Sequence, residues 1–325
     1  MRRVLIWLLL TPVFLALAVI GVRMARAPLT GPPPADQTAA GTLNATPLPT
    51  FVAPQPRETP PDPAAEAAAC AEGPADAAAA NTTSLTAAAW SAFGRAETGW
   101  EIYAPRAAAE IGAPACAPTS PGFAAALARW QGSRGLGKSG VMDEPTLAAM
   151  KNAWAMQRPF VLVNKKGVCP DAPPEVALDT TTAADTYGSP LKLRAGALAA
   201  WRRLMSDARA EVPAIAADPN LLKIMSGYRD PVADAVRCAT EMNCQNITRS
   251  TCSAHRTGLA VDVYLGSAPG FDPASSEDVN RLFQSRGPAY RWLVANAGRY
   301  GFVNYAFEPW HWEWTGEPVV WEATN

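Results

Sequence analysis

The chain has 325 residues, enough for two ordinary domains or one large one. Lys and Arg total 28 while Asp and Glu total 29, so the net charge is -1 and the chain lacks the basic excess typical of nucleic-acid binding. Its 11 tryptophans and 49% apolar residues exclude disorder throughout. The chain has only 2 histidines, His255 and His311, so any chemistry that needs an imidazole must use one or both.

The amino terminus has the pattern of a membrane anchor. Residues 4–22 form an apolar run with two arginines on each side. Such a run of about 19 residues can cross a bilayer as a helix and is longer than a usual signal-peptide core. Residues 25–27 resemble a cleavage site, but Pro28 follows them and disfavours cleavage. We therefore predict an uncleaved signal anchor over residues 1–27 and an extracytoplasmic location at the inner membrane.

Cysteine usage agrees with export. An even number of cysteines in an exported chain favours disulfides, and this chain has 6. We predict that Cys70 pairs with Cys116 and that the other four, Cys169, Cys238, Cys244 and Cys252, pair within a second domain. No two cysteines have the C-x-x-C spacing, which argues against a thiolate zinc cage.

Two segments follow the anchor. Residues 28–69 are rich in Pro and Ala and are predicted to form an extended linker. Residues 70–158 contain helical periodicity and are predicted to form a small helical domain. Its residues Trp130, Gln131, Gly135, Leu136, Gly140 and Thr146 stand in a pattern that resembles the peptidoglycan-binding-like three-helix module. A helical hairpin without a ligand is the alternative, and Ser139 departs from the aspartate usual in that module.

Residues 159–325 are predicted to form one α+β domain. Residues 160–163, 221–225, 259–265 and 310–314 have the composition of strands. Helices are predicted over residues 196–211 and 289–300, the second ending at Gly301. On the last strand, alternate positions 310, 312 and 314 are tryptophans, which favours core packing over a glycan-binding surface.

Both histidines lie near carboxylates. His255 is followed by Gly258, where a turn can return the chain beside a strand that carries Asp262. Three ligands drawn from His and carboxylate, with one position left open, are typical of zinc in hydrolases. His311 supplies a third ligand, and Glu308 lies three residues before it. Taken singly, each residue has a structural alternative: a packed histidine, or an aspartate paired with an arginine.

A family resemblance connects these residues. The pattern S-x-H-x-x-G-x-A-x-D followed by E-x-W-H is formed by Ser253, His255, Gly258, Ala260, Asp262, Glu308, Trp310 and His311. It resembles the zinc D-alanyl-D-alanine carboxypeptidases of the VanY type, which share a fold with the zinc domain of hedgehog proteins. Residues 226–229 resemble the S-G-Y-R element of that family, and residues 163–165 resemble its V-N-K strand. Residues 230–252 depart from the family pattern, which leaves the shape of the cleft wall open.

The resemblance implies a site and a fold. It implies zinc on His255, Asp262 and His311, with Glu308 as the general base that then protonates the leaving amine. It implies that Arg229 either stabilises the developing oxyanion or holds the substrate carboxylate. The implied fold is a small antiparallel sheet flanked by helices.

The remaining predicted site residues shape the substrate cleft. Ser253, Tyr228 and Trp310 are assigned to it, although Ser253 has the alternative of capping a turn and Arg229 that of pairing with Asp230 or Asp234. The predicted function is hydrolysis of the terminal D-Ala-D-Ala bond of peptidoglycan stem peptides, with peptidoglycan and the membrane as partners. An L,D-carboxypeptidase, a cross-link endopeptidase and a non-catalytic zinc-containing wall-binding protein are the alternatives.

Overall fold

The computed structural model describes residues 62–91, 93–164, 169–240 and 252–319. All of them belong to one unit, Pro47–Asn325. No helix among these residues is both long and apolar enough to cross a membrane. The predicted anchor, residues 1–27, lies outside the described residues.

The amino-terminal part is mainly helical. Its elements are α1 (Pro63–Ala71), α2 (Ala75–Ala87), β1 (Ala89–Trp90), β2 (Glu97–Thr98), α3 (Ala104–Glu110), α4 (Pro121–Ser133) and α5 (Glu144–Met156). Strands β1 and β2 pair antiparallel as a short hairpin. Helix α1 begins before the predicted boundary at residue 70, because Asp62 caps it and Pro63 occupies its first turn, where proline is tolerated. The predicted Cys70–Cys116 disulfide is confirmed.

Gln131 explains much of the helical sequence pattern. This fully buried side chain donates hydrogen bonds to the Thr146 hydroxyl and the Val141 carbonyl, both at 2.9 Å. Its own carbonyl accepts a hydrogen bond from the Gly140 amide at 2.8 Å. Gly140 has a φ of +68°, and a Cβ there would lie 2.6 Å from the Ala124 carbonyl oxygen. These motif residues therefore hold α4 and α5 together, and a glycan-binding role for them stays a prediction.

The carboxy-terminal part is built on one antiparallel sheet. Its elements are α6 (Pro159–Asn164), β3 (Leu178–Thr180), β4 (Lys192–Arg194), α7 (Ala195–Glu211), α8 (Pro213–Ala217), β5 (Ile224–Ser226), α9 (Pro231–Thr240), β6 (Ala260–Val263), α10 (Asp278–Arg286), α11 (Pro288–Asn296), β7 (Phe302–Asn304) and β8 (His311–Trp314). The sheet order is β5-β6-β8-β7, and β3 pairs separately with β4. The predicted α+β class is confirmed.

Helix α7 packs on the sheet through the predicted apolar face. Leu198, Trp201, Leu204 and Met205 are all buried in one core. The Trp201 ring meets the edge of Phe302 from β7 at 4.9 Å between centroids. Trp312 and Trp314 of β8 belong to the same core, so the prediction that the tryptophan face packs inward is confirmed.

Two predicted strands differ from the structure. The run at 160–163 lies in helix α6, because Pro159 favours a helix start and the Phe160 amide donates to the Glu313 carboxylate at 3.2 Å instead of to a strand. The V-N-K strand prediction is therefore wrong for residues 163–164, and Lys165 lies outside the described residues. The strand predicted over 221–225 begins only at Ile224, because Leu222 has a φ of +68°, which is incompatible with extended backbone.

The second disulfide joins Cys169 to Cys252. This pair lies within the second predicted domain, as expected. Cys244 and the side chain of Cys238 lie outside the described part of the structure.

Candidate metal centre

A tight turn positions His255. Residues Ala254–Thr257 form one 3₁₀ turn that begins at Ser253, whose hydroxyl accepts a hydrogen bond from the His255 amide at 3.2 Å. The turn ends at Gly258, which has the predicted left-handed conformation with a φ of +69°. The chain then enters β6, so His255 lies beside the strand that carries Asp262.

Strand register brings Asp262 to His311. In the antiparallel pair β6–β8, these two residues are direct partners. Directly opposed side chains on one face of a sheet lie within contact distance. Pairing of the two strands therefore closes the gap between the two sequence motifs.

The three predicted ligands form one group. Nε2 of His255 lies 3.2 Å from one carboxylate oxygen of Asp262, and Nδ1 of His311 lies 2.8 Å from the other. One ligand atom from each residue can be chosen so that all lie within 4.8 Å of one another. The structure thus brings together the two histidines and the carboxylate that the sequence singled out.

The other ring nitrogens have acceptors of their own. Nδ1 of His255 lies 2.8 Å from the Gly227 carbonyl oxygen, and Nε2 of His311 lies 3.3 Å from Oε1 of Glu313. A neutral imidazole that donates from one nitrogen has a lone pair on the other. Nε2 of His255 and Nδ1 of His311 are therefore the nitrogens directed at the centre.

Burial and charge oppose each other in this group. Burial alone would raise the pKa of the Asp262 carboxyl, but His255 and His311 hold it well below its usual range. Burial alone would lower the pKa of His311, but its hydrogen bonds to Asp262 and Glu313 raise it to about 9. In the metal-free chain, His311 is therefore protonated at neutral pH, and its positive charge lies between the carboxylates of Asp262 and Glu313.

Glu313 is a residue that the sequence left without a role. Its side chain is buried and accepts hydrogen bonds from Arg158, at 2.9 Å from Nε and 2.5 Å from Nη2. Burial opposes its ionisation, yet Arg158 and His311 lower its pKa to about 2. The alternation along β8 places Glu313 on the His311 side of the strand, but nothing in the local sequence pointed to its partner Arg158.

Glu308 lines the same cavity as the three predicted ligands. It precedes β8 in a turn whose backbone is held by hydrogen bonds from the Glu308 amide to the Tyr305 carbonyl and from the His311 amide to the Glu308 carbonyl. The half-buried Glu308 lines a cavity of about 650 Å³ together with the three predicted ligands. Its carboxylate can therefore meet a molecule that occupies this cavity.

Arg229 and Ser253 also line the cavity. The Arg229 amide donates to the His255 carbonyl at 3.2 Å, and its guanidinium lies 3.4 Å from the Ser253 hydroxyl. That guanidinium is also 3.8 Å from the fully buried carboxylate of Asp234, which forms closer ion pairs with Arg237 and Arg256. The alternatives raised from the sequence, a paired Arg229 and a capping Ser253, therefore describe real contacts of residues that also face the cavity.

Trp310 and Tyr228, the other two residues predicted to shape the cleft, differ in their position relative to the cavity. Trp310 is buried in the sheet core and also lines the cavity. Tyr228 does not line it: its amide donates to the Lys192 carbonyl, and burial together with nearby Asp230 raises the pKa of its hydroxyl. A substrate-binding role for Tyr228 stays a prediction.

Comparison with known families identifies the carboxy-terminal part. Residues 190–317 match the family model described as VanY, D-alanyl-D-alanine carboxypeptidase. These residues form a VanY domain. The VanY domain contains His255, Asp262, Glu308 and His311, whereas Arg158 and the whole helical part precede it. No curated protein matches the chain.

The donor set of the VanY domain fits zinc. Two imidazole nitrogens and one carboxylate are the ligands of many hydrolytic zinc sites, where a fourth position stays open. Each histidine has an acceptor on its other nitrogen, as metal-ligating histidines almost always do.

Proposed function

We propose that this protein is a zinc-dependent carboxypeptidase that hydrolyses the terminal D-Ala-D-Ala bond of peptidoglycan stem peptides. The observation that carries the proposal is the convergence of His255, Asp262 and His311 on the wall of a cavity that Glu308 also lines. The VanY match supports the carboxypeptidase class and the peptidoglycan substrate.

The metal would be held by Nε2 of His255, the carboxylate of Asp262 and Nδ1 of His311. When bound, zinc supplies Lewis-acid activation of water and of the scissile carbonyl. Asp262 stays ionised and offsets part of the added positive charge, because the neighbouring imidazoles keep its pKa low. Gly227 and Glu313 keep the two rings oriented through their outer nitrogens.

Glu308 would move the proton of the reaction. As a half-buried carboxylate on the cavity wall, it takes a proton from the attacking water and then delivers it to the leaving amine of D-alanine. Arg229 would bind charge on the substrate, either the terminal carboxylate or the developing oxyanion, since a guanidinium stays charged at all working pH values. Ser253 would keep Arg229 directed toward the cavity.

The proposed substrate places the protein in the cell envelope. Stem peptides lie outside the cytoplasmic membrane, and two disulfides agree with an oxidising compartment. Anchoring through residues 1–27 remains part of the proposal.

Mass spectrometry of stem peptides distinguishes the candidate activities. The purified zinc-loaded protein is incubated with a pentapeptide that ends in D-Ala-D-Ala, and we expect release of one D-alanine. Release of a dipeptide, cleavage of an L,D bond or cleavage of a cross-link would overturn the D,D-carboxypeptidase proposal. Zinc binding without cleavage of any peptide would overturn the proposed activity and favour the alternative of a non-catalytic wall-binding protein.

A further inference from the structure

The cavity beside the proposed metal centre has walls from two parts of the chain. Phe93, Gly94 and Arg95 line it from the turn between β1 and β2, far before the VanY domain. Glu308 and Arg229 line it from the VanY domain itself. The cavity is therefore incomplete without the helical part.

An aromatic contact places this turn near the metal centre. The Phe93 ring lies 6.2 Å from the Tyr305 ring, edge to face. Tyr305 in turn lies 6.2 Å from the His311 ring, at an interplanar angle of 90°. One aromatic ring thus separates Phe93 from a proposed metal ligand.

A buried ion pair fixes the hairpin to the segment that carries Glu308. Arg281 of α10 is fully buried and lies 2.6 Å from the Glu97 carboxylate of β2. Its Nε donates to the Phe307 carbonyl at 2.8 Å, directly before Glu308. Breaking a buried pair leaves an uncompensated charge, which is strongly destabilising. The hairpin and the Glu308 turn are therefore held together as one body.

Arg95 is held at the edge of the same cavity. Its guanidinium pairs with Asp278, donates to the Ser276 carbonyl at 3.1 Å and lies 5.4 Å from the Phe307 ring centroid. About a third of the Arg95 side chain remains exposed. Arg95 thus places a guanidinium in the lining of the cavity, which also includes Phe93.

The size of the cavity indicates what this wall faces. Two alanine residues, each with a single methyl side chain, fill only a fraction of about 650 Å³. The remaining space takes substrate residues that precede the cleaved pair. A ring beside a guanidinium suits a chain whose apolar part packs on Phe93 and whose carboxylate meets Arg95.

We propose that Phe93 and Arg95 form a specificity wall that selects acidic peptides longer than two residues. This inference rests on the proposed function and names the substrate class of the same site. It gives the helical part a role in binding substrate in the catalytic cleft, in addition to any role in binding peptidoglycan.

Kinetics with three substrates test whether Phe93 and Arg95 select acidic peptides. The substrates are an N-acetylated D-Ala-D-Ala dipeptide, a pentapeptide with a glutamate before its D-Ala-D-Ala end, and the same pentapeptide with glutamine in place of glutamate. We expect Arg95→Gln to raise the KM for the acidic pentapeptide about tenfold, equivalent to about 1.4 kcal/mol, with kcat unchanged. For the other two substrates the KM should change less than twofold. Phe93→Leu should raise the KM for both pentapeptides but not for the dipeptide.

Arg286→Gln is the matched control. Arg286 also joins the two parts of the chain, through a 2.7 Å hydrogen bond from its Nε to Glu101, but it does not line the cavity. Its kinetics should equal those of the wild type. After Arg95→Gln, an equal rise in KM for the dipeptide and both pentapeptides would overturn the proposal that Phe93 and Arg95 select acidic peptides. An unchanged KM for every substrate would also overturn it.

A failure of the proposed function is distinguishable from a failure of the wall. If the wild type hydrolyses none of the substrates, the proposed function is wrong. Calorimetric binding of the acidic pentapeptide then still tests whether Arg95 recognises an acidic peptide. Binding about tenfold weaker in Arg95→Gln than in Arg286→Gln would support it. Equal binding by the two variants would overturn it.

Discussion

Oε1 of Glu313 lies 3.3 Å from Nε2 of His311 in the interior of the protein. The same carboxylate binds the Arg158 guanidinium and accepts a hydrogen bond from the Phe160 amide. Because an ionised carboxylate only accepts hydrogen bonds, Nε2 of His311 donates to Glu313, and Nδ1, which donates to Asp262 in the metal-free protein, is the nitrogen that gives up its proton when a metal binds. A residue outside the VanY domain, Arg158, therefore helps to set which nitrogen of His311 is available to a metal.

Glu313→Gln should weaken zinc binding. The amide keeps the shape of the side chain but leaves Arg158 without its anionic partner and removes the negative charge beside His311. Loss of such an outer partner typically costs about ten- to a hundredfold in metal affinity. Titration against a chromogenic zinc chelator measures the affinity. Glu175→Gln is the control, because Glu175 pairs with Lys192 at the surface, and identical affinities for the two variants would argue against the orienting role.

Glu308→Gln should separate metal binding from catalysis. The variant is expected to bind zinc as the wild type does, because Glu308 is not among the three grouped ligand residues. Loss of proton transfer typically lowers kcat by about 10² to 10⁴. Metal content is measured by mass spectrometry and turnover by D-alanine release. Wild-type turnover in this variant would remove Glu308 from the mechanism.

Zinc uptake should release a proton. In the metal-free protein, carboxylate neighbours raise the pKa of His311 to about 9, so the ring is protonated at pH 7.5. A metal binds only the neutral imidazole. We therefore expect release of about one proton per zinc at pH 7.5, and an apparent affinity that increases with pH up to about 9. Calorimetry in buffers of different ionisation enthalpy measures the proton count; a count of zero, with affinity independent of pH, would contradict this assignment.

Glu97→Ala should destabilise both parts of the chain together. The substitution leaves the fully buried Arg281 without its closest carboxylate, although the more exposed Asp278 remains 2.9 Å away. We expect a loss of about 3 kcal/mol, at the lower end of the cost of breaking a buried pair. Urea denaturation should show one cooperative transition at a lower midpoint. Glu101→Gln, at the exposed pair with Arg286, should change stability by less than about 0.5 kcal/mol. Two separate transitions in Glu97→Ala would show that the parts unfold independently.

The grouping of His255, Asp262 and His311 could be predicted because these residues lie in short motifs. His255 and Gly258 define a turn, and the alternation around His311 defines a strand, so the three ligands followed from local patterns. Arg158 could not be found in this way, since its pairing with Glu313 depends on how distant elements pack. The strand predicted near Phe160 failed for a related reason: an apolar run of four residues suits a strand or a helix equally.

The predicted division into a helical domain and a catalytic domain stays a prediction. Composition and periodicity separate the two parts at residue 158, and the structure has α5 end just before it. Nothing in either segment indicated that Glu97 and Arg281 would meet, because isolated charged residues are usually solvated. The cavity is lined by residues of both parts because of tertiary packing, which local sequence does not specify.

The most direct test of the metal centre is a crystal structure of the zinc-loaded protein with anomalous diffraction at the zinc edge. We predict one anomalous peak bonded to Nε2 of His255, a carboxylate oxygen of Asp262 and Nδ1 of His311, with Glu313 still bonded to the other nitrogen of His311. A peak at another site, or ligation through Nε2 of His311, would contradict the account.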